Sequence, residues 1–359
     1  MEDTVIRPRL NEVRSYQLIK EALKKFDLDL SGLRVLTEAA TGNYVLTPIV
    51  AALAGAEKVF ALTRDSRYGD VKTVSETTLS LAKKWGVDQK IEILLSRTDE
   101  RIGEADIVTN LGFVRPIDRE LISRMKETAV IPLMFETWEF REEDIDLSEC
   151  KRRGIPVLGT NEHVPELDTF GYIGPLAIKL AFELDIEVFH SNVMVVGGGI
   201  FGESTVHAFK QLGANVTNIQ VTEDDRLDDD WVLDEIMKSD LLVFVEYVSR
   251  ELLLGSHGQL SPEKLLQLNP GIAIVHIAGV VNGNEIERFQ ILHCPERIGD
   301  PGHMSVTTDY LGPKPLIDLH TAGLKVGEAM ARARLNGLNS LETIRVALQS
   351  SPAQDFTLI

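Results

Sequence analysis

The 359-residue sequence is 44% apolar and carries 55 acidic against 37 basic residues, a net charge of −18. Apolar content at this length supports two compact units rather than one. The acidic excess repels phosphate backbones and anionic lipid, which argues against nucleic acid and membrane surfaces as partners.

The opening "MEDTVIRPRL" lacks a signal-peptide pattern, and no apolar run reaches the ~18 residues needed to span a bilayer. Cys150 and Cys294, the two cysteines, are too few for a disulfide framework or zinc cluster and suit a reducing compartment. The expectation is a soluble, cytoplasmic protein.

Residues 10–26 have the spacing of an amphipathic helix. Strand-like runs then alternate with helical stretches: "LRVLTEA", "KVFALT", "KIEILLS", "DIVTNL", "AVIPLMF" and "IPVLGT", with helices expected over 71–85 and 118–126. Such alternation predicts a parallel sheet covered on both faces. Residues 164–184 are mostly apolar with helical spacing, so a bridging helix over 164–186 is expected, with Gly174 and Pro175 able to kink it.

A second series begins at Asn192: "NVMVVG", a helix over 201–212, "NVTNIQV", a helix over 231–238, "LLVFVEYV", "GIAIVHIAG", "RFQILHC" and "PLIDLH". Residues 323–348 read as one long helix or two shorter ones. The acidic stretch 223–231 reads as a solvated turn. There is no fixed-period repeat.

Gly197, Gly199 and Gly202 fit G-x-G-x-x-G between a strand and a helix, the context that gives this pattern meaning. Gly197 would permit the tight turn, Gly199 the approach of a pyrophosphate, and Gly202 close helix–strand packing. Ile200 and Phe201 complete the loop. The ribose-contacting position at the end of the next strand falls on Gln220, an amide that can bond a 2′-hydroxyl without excluding a 2′-phosphate. Thr222 and Arg226 suit NADP, whereas Glu223, Asp224 and Asp225 oppose it. The balance favours NAD slightly and leaves NADP open.

The order and spacing of "ADIVTNLGFVRPIDRELISRM", "IDLSECKRRGIPVLGTN", the glycine loop and "LHTAG" resemble the D-isomer-specific 2-hydroxyacid dehydrogenases, the formate and glycerate dehydrogenase group. The resemblance implies an α/β chain of two Rossmann-like parallel-sheet domains, a coenzyme domain inserted into a discontinuous substrate domain. Its boundaries would be 1–163 and 324–359 for the substrate domain, 164–186 for the interdomain helix and 187–323 for the coenzyme domain. It further implies hydride transfer between a nicotinamide and a small hydroxy or keto substrate in the interdomain cleft, with pairing of two copies through the coenzyme domain.

By this likeness His320 is the general acid/base, titrating near its ordinary ~6.5. Ala278 stands where the family has its arginine. His276 is a candidate to replace some of that hydrogen bonding, and equally a buried histidine satisfied by backbone. Asp309 is the best substitute for the histidine's carboxylate partner. "MFETWEFREEDID" replaces the family's glycine-rich carboxylate cradle, and its Glu136 and Trp138 point to a remodelled substrate site.

The turn holding Thr41, Gly42 and Asn43, with Arg64 and Arg67 after the next strand, reads as an ordinary βα turn, as substrate contacts through Asn43 and Arg64, or as a faint methyltransferase-like motif. His293, Cys294 and Glu296 lack the paired spacing of a metal site, so no metal is expected. Two other readings stand beside the oxidoreductase. One is a catalytically retired NAD(P)-binding sensor or partner protein, motivated by Ala278. The other is an NAD-retaining lyase or hydrolase resembling S-adenosylhomocysteine hydrolase.

Overall fold

A computed structural model describes residues 10–222 and 225–356. Most of the opening segment, and Glu223 and Asp224 of the acidic stretch, lie outside the described residues. The chain divides into two compact units: one formed by the residues up to Asp168 with those from Gly312 onward, and one spanning Thr169–Leu311.

In the first unit four parallel strands lie in the order Ile91–Leu94, Lys58–Leu62, Arg34–Glu38, Ile107–Val108. The Val108 amide donates to the Val130 carbonyl, and Ile107 bridges Val130 in parallel. That contact continues the sheet into Ile131–Pro132, Val157–Thr160 and an antiparallel edge strand, Ala353–Gln354. Numbered along the chain, the parallel order is 3-2-1-4-5-6, the doubly wound arrangement. Val35, Val59 and Ile107 join one buried cluster, while Leu36, Phe60 and Val108 join another. Both faces are therefore covered, which is why these strands read as unbroken apolar runs.

The second unit has five parallel strands in the order Leu292–Cys294, Ala273–Ala278, Leu241–Val245, Asn192–Val196, Asn215–Ile219. Here too alternate residues divide between two cores, Val193 and Val243 in one, Met194 and Phe244 in the other. The strand order reverses between Asn192–Val196 and Leu241–Val245. A crevice at the carboxyl ends of those two strands is where open α/β sheets bind ligands.

Several elements differ from expectation. The run "PLIDLH" is not a strand. It opens the 23-residue helix Pro313–Leu335, because Gly312 ends the preceding segment and Pro313 occupies the first helical position, where a missing N–H costs nothing. The helix lies close on the first unit's sheet. A β-carbon on Gly323 would collide with the Met134 sulfur, and one on Gly327 would meet Ile107 and Pro132. The unit boundary accordingly falls at 311/312 rather than after 323, and "LHTAG" sits mid-helix. The closing stretch is two helices, the second being Ser340–Ser350.

The expected 164–186 helix is helical only over Ile173–Glu183, after a 3-10 turn at Thr169–Tyr172. Gly174 lies in its first turn, and a β-carbon there would strike the Ser204 carbonyl and sit 2.6 Å from the Ala208 side chain. The glycine thus permits close packing on the helix that follows the glycine loop. No helix among the described residues is long and apolar enough to cross a membrane.

Candidate functional site

In the second unit, strand Asn192–Val196 runs into Gly197, and helix Gly199–Gln211 begins two residues later. Gly197 has φ +136°, and a β-carbon on it would lie 2.7 Å from the Glu246 amide nitrogen. Glycine therefore lets the turn lie against the neighbouring strand end. A β-carbon on Gly202 would meet the Gly197 carbonyl, so the helix packs tightly on the turn. The Asn218 side-chain amide donates to the Val195 and Gly197 carbonyls at 3.0 and 2.9 Å, pinning the turn from the second strand.

Gln220 is the first residue beyond Asn215–Ile219, and its side chain lies over Gly198. Gly199 has φ +56° and faces the Tyr247 hydroxyl. Phe201 is buried, with its ring against Phe170 at 5.9 Å and Tyr247 at 4.5 Å; Ile200 is half-buried beside that core.

Next to the second strand's end lies an open recess of about 340 Å³ lined by Val221, Thr222, Arg226, Ser249 and Glu251. The Thr222 hydroxyl accepts from the Asp225 amide at 3.0 Å. Arg226 is held by Asp228 at 3.1 Å and Glu251 at 3.0 Å.

His276 is buried in strand Ala273–Ala278, its Nδ1 hydrogen-bonded to Ser305 Oγ at 2.7 Å and its Nε2 to the Gly279 carbonyl at 3.0 Å. Burial pushes its pKa down to about 4. One nitrogen thus meets a side chain and the other the backbone. Ala278 is buried at the strand's last position. Asp309 accepts from the Thr307 hydroxyl within the turn Thr308–Leu311. Asp309 thus belongs to the second unit and His320 to the first.

His320 is buried in helix Pro313–Leu335, 3.1 Å from the Thr47 hydroxyl and with the Tyr44 ring 5.9 Å away. Burial pushes its pKa down to about 3, so the ring is neutral at physiological pH and does not titrate near 6.5. Asn43 and Tyr44 lie in the 3-10 turn Gly42–Val45 at the carboxyl end of strand Arg34–Glu38. Arg64 is exposed and lies over the Phe113 ring at 5.4 Å.

Glu136 is buried rather than presented to solvent. It accepts from Trp138 Nε1 at 2.7 Å and from the Glu162 amide at 2.9 Å. Glu139 lies beside it, and burial, reinforced by the Glu136 carboxylate, raises its pKa to about 7. The exposed part of this cluster is Trp138 with His163.

Sequence reasoning missed three further polar groups at the carboxyl ends of the first unit's strands. Glu38 is buried and held above the usual carboxylate range by burial, against the Phe113 N–H that donates to it at 2.9 Å. Asn110 accepts from the Met134 amide at 2.8 Å, leaving its buried Nδ2 without a partner, and the Thr63 hydroxyl is likewise unpartnered. Glu38 and Asn110 flank that sheet's own switch point. The available signal was a polar residue ending each apolar strand.

Tested against a dinucleotide, the second unit's residues fit. Gly197 and Gly202 meet the backbone requirements, and the helix N-terminus favours phosphate. The Tyr247 hydroxyl lies beside Gly199, 2.7 Å from where a β-carbon would stand. Fold and loop together define a two-unit, doubly wound α/β protein with a Rossmann-type glycine turn.

The sequence matches no family model and no curated protein. By structure the chain is similar to dipicolinate synthase from Bacillus subtilis, at 13% identity and TM-score 0.53 over 86% of this chain and 99% of that one. The corresponding dipicolinate synthase chain from Bacillus halodurans gives 12% identity and TM-score 0.50 over 85% and 99%. D-lactate dehydrogenase with NAD+ from Lactobacillus jensenii gives 12% and 0.49 over 84% and 97%. The first two likenesses establish the fold, two Rossmann-like parallel-sheet units in one chain, in agreement with the architecture implied by the sequence resemblance.

Proposed function

We propose that the chain is an NAD(P)-dependent oxidoreductase acting on a small hydroxy or keto substrate, with the second unit binding the dinucleotide. The observation that carries this reading is the glycine turn at the second unit's switch point, where two glycines are required by backbone contacts and a helix N-terminus follows. Gly197, Gly199, Ile200 and Gly202 would hold the diphosphate, Gln220 and Thr222 the adenosine ribose, and Ala278 would lie along the nicotinamide half. Bound nicotinamide supplies or accepts the hydride.

The first unit offers the substrate-binding groups: Asn43 and Arg64, with Glu38 and Asn110 at its switch point. His320 enters as a neutral imidazole oriented by Thr47, a state suited to polarising a carbonyl oxygen rather than to exchanging protons with solvent. Glu136 is buried and engaged, and Trp138, partly exposed, is a member of its loop that would meet a substrate. Ala278 removes the family's arginine, so the substrate site is remodelled relative to 2-hydroxyacid dehydrogenases. Pairing of two copies through the second unit belongs to the same proposal.

The test is calorimetric titration with NADH and NADPH, followed by a panel of ketones and 2-oxo acids monitored by nicotinamide absorbance. Tight dinucleotide binding with turnover supports the oxidoreductase. Tight binding without turnover supports a nicotinamide-sensing protein, the reading favoured by Ala278. Absence of binding overturns both.

A further inference from the structure

A side chain of the second unit stands beside its glycine turn. A β-carbon built on Gly199 would lie 2.7 Å from the Tyr247 hydroxyl and 3.4 Å from the nearest ring carbons. The Tyr247 hydroxyl therefore lies on the side of this glycine where a β-carbon would stand, while the glycine itself remains exposed. A phosphate drawn close to this glycine from that side would meet the hydroxyl.

Tyr247 reaches Gly199 from across the switch point, two residues beyond strand Leu241–Val245. Its backbone is anchored. The buried Glu246 carboxylate accepts from the Val248 and Ser249 amides, both at 2.8 Å, which closes the turn that carries the tyrosine. The ring rests on Phe201 with planes 35° apart, an apolar contact that leaves the hydroxyl end to define what fits over the glycine. A side chain on a fixed backbone moves by changing rotamer.

We propose that Tyr247 is the residue that sets dinucleotide affinity and entry: its hydroxyl occupies the diphosphate position, and a dinucleotide binds by displacing it. The inference rests on the reading of the second unit as a dinucleotide site. A ligand that must displace a resident side chain binds more weakly in proportion to how rarely the open rotamer is populated. Removing the hydroxyl raises that population, and removing the ring makes the site permanently open.

The experiment titrates NADH and adenosine into the full-length protein and its Tyr247→Phe and Tyr247→Ala variants, with thermal melts as a check on folding. Tyr247→Phe keeps the ring on Phe201 and deletes the atom nearest Gly199. The expected result is NADH affinity raised about three- to tenfold in the Phe variant and further in the Ala variant, with adenosine, which carries no phosphate, unchanged in both. In stopped-flow mixing the wild-type rate should level off with rising NADH, and the Phe variant should level off higher.

Equal or weaker NADH binding in a folded Tyr247→Phe variant, with adenosine unaffected, overturns the displacement role and leaves the dinucleotide reading intact. If neither wild type nor either variant binds NADH, the dinucleotide reading falls, and this inference with it.

Discussion

Arg226 is ion-paired to Glu251 at 3.0 Å across the recess that adjoins Gln220. The guanidinium that the sequence suggested for a 2′-phosphate therefore already has a carboxylate partner, and Asp228 holds it from a second side at 3.1 Å. A 2′-phosphate has to compete with both carboxylates and meets their repulsion. We expect Glu251→Gln to raise NADPH affinity about three- to tenfold with NADH nearly unchanged, and Gln220→Asp to move the ratio toward NADH. Parallel titrations of both dinucleotides check this, and an unmoved ratio in both variants would place the adenosine end elsewhere.

Two glycines of the turn should fail in different ways. At Gly197 a β-carbon meets backbone, the Glu246 nitrogen at 2.7 Å, with φ at +136°. Gly197→Ala should lower the melting temperature markedly, because neither the strand end nor the turn can give way. At Gly199 the nearest atom is the far end of the Tyr247 side chain, so Gly199→Val should fold with a smaller loss, from its φ of +56°, and should lose NADH binding. Calorimetric melts beside NADH titrations separate the two. A Gly199→Val protein that binds NADH normally would sink the diphosphate assignment.

What the sequence made legible was local. The glycine turn is contiguous with its strand and helix, so its pattern carries its structure. "PLIDLH" reads as a strand because a short apolar run fits a strand or a buried helix equally well, and only the sheet beneath Gly323 and Gly327 decides between them. Tyr247 and Gly199 are 48 positions apart along the chain. They meet because strands Asn192–Val196 and Leu241–Val245 are neighbours, a pairing no local pattern states. Glu136 and Glu162 likewise meet because Ile131–Pro132 pairs with Val157–Thr160. The depressed pKa of His320 follows from helix burial, which a strand reading of its segment hides.

Burial of His276 and His320 sets a pH dependence of known sign. Their pKa values fall to about 4 and about 3 in the folded protein, against ~6.5 when unfolded. Between these values the unfolded chain binds protons that the folded chain does not, so stability is lost as pH falls below about 6.5. Urea midpoints should drop from pH 7 to pH 4.5, and His320→Gln should flatten that drop while keeping a partner for Thr47. Proton NMR should show the His320 ring neutral throughout. A His320 titration near 6.5, or an acid slope unaltered by the substitution, would contradict the burial argument.

Glu139 acts in the opposite direction. Burial and the neighbouring Glu136 carboxylate raise its pKa to about 7 from an ordinary 4.5, so between those values the folded state holds a proton that the unfolded state has released. Its contribution is complete below about pH 4.5 and is lost as pH rises through 7. Glu139→Gln imitates the protonated carboxyl and should stabilise the protein at pH 8.5, by on the order of 1–3 kcal/mol, while changing little at pH 5. Trp138 supplies an independent signal, because its indole donates to Glu136 at 2.7 Å and is partly exposed. Ionisation of Glu139 adds a second charge beside that acceptor, so Trp138 emission should shift with a midpoint near 7 in the wild type. The shift should vanish in Glu139→Gln. Emission that titrates identically in the two proteins would contradict the assignment of the transition to Glu139.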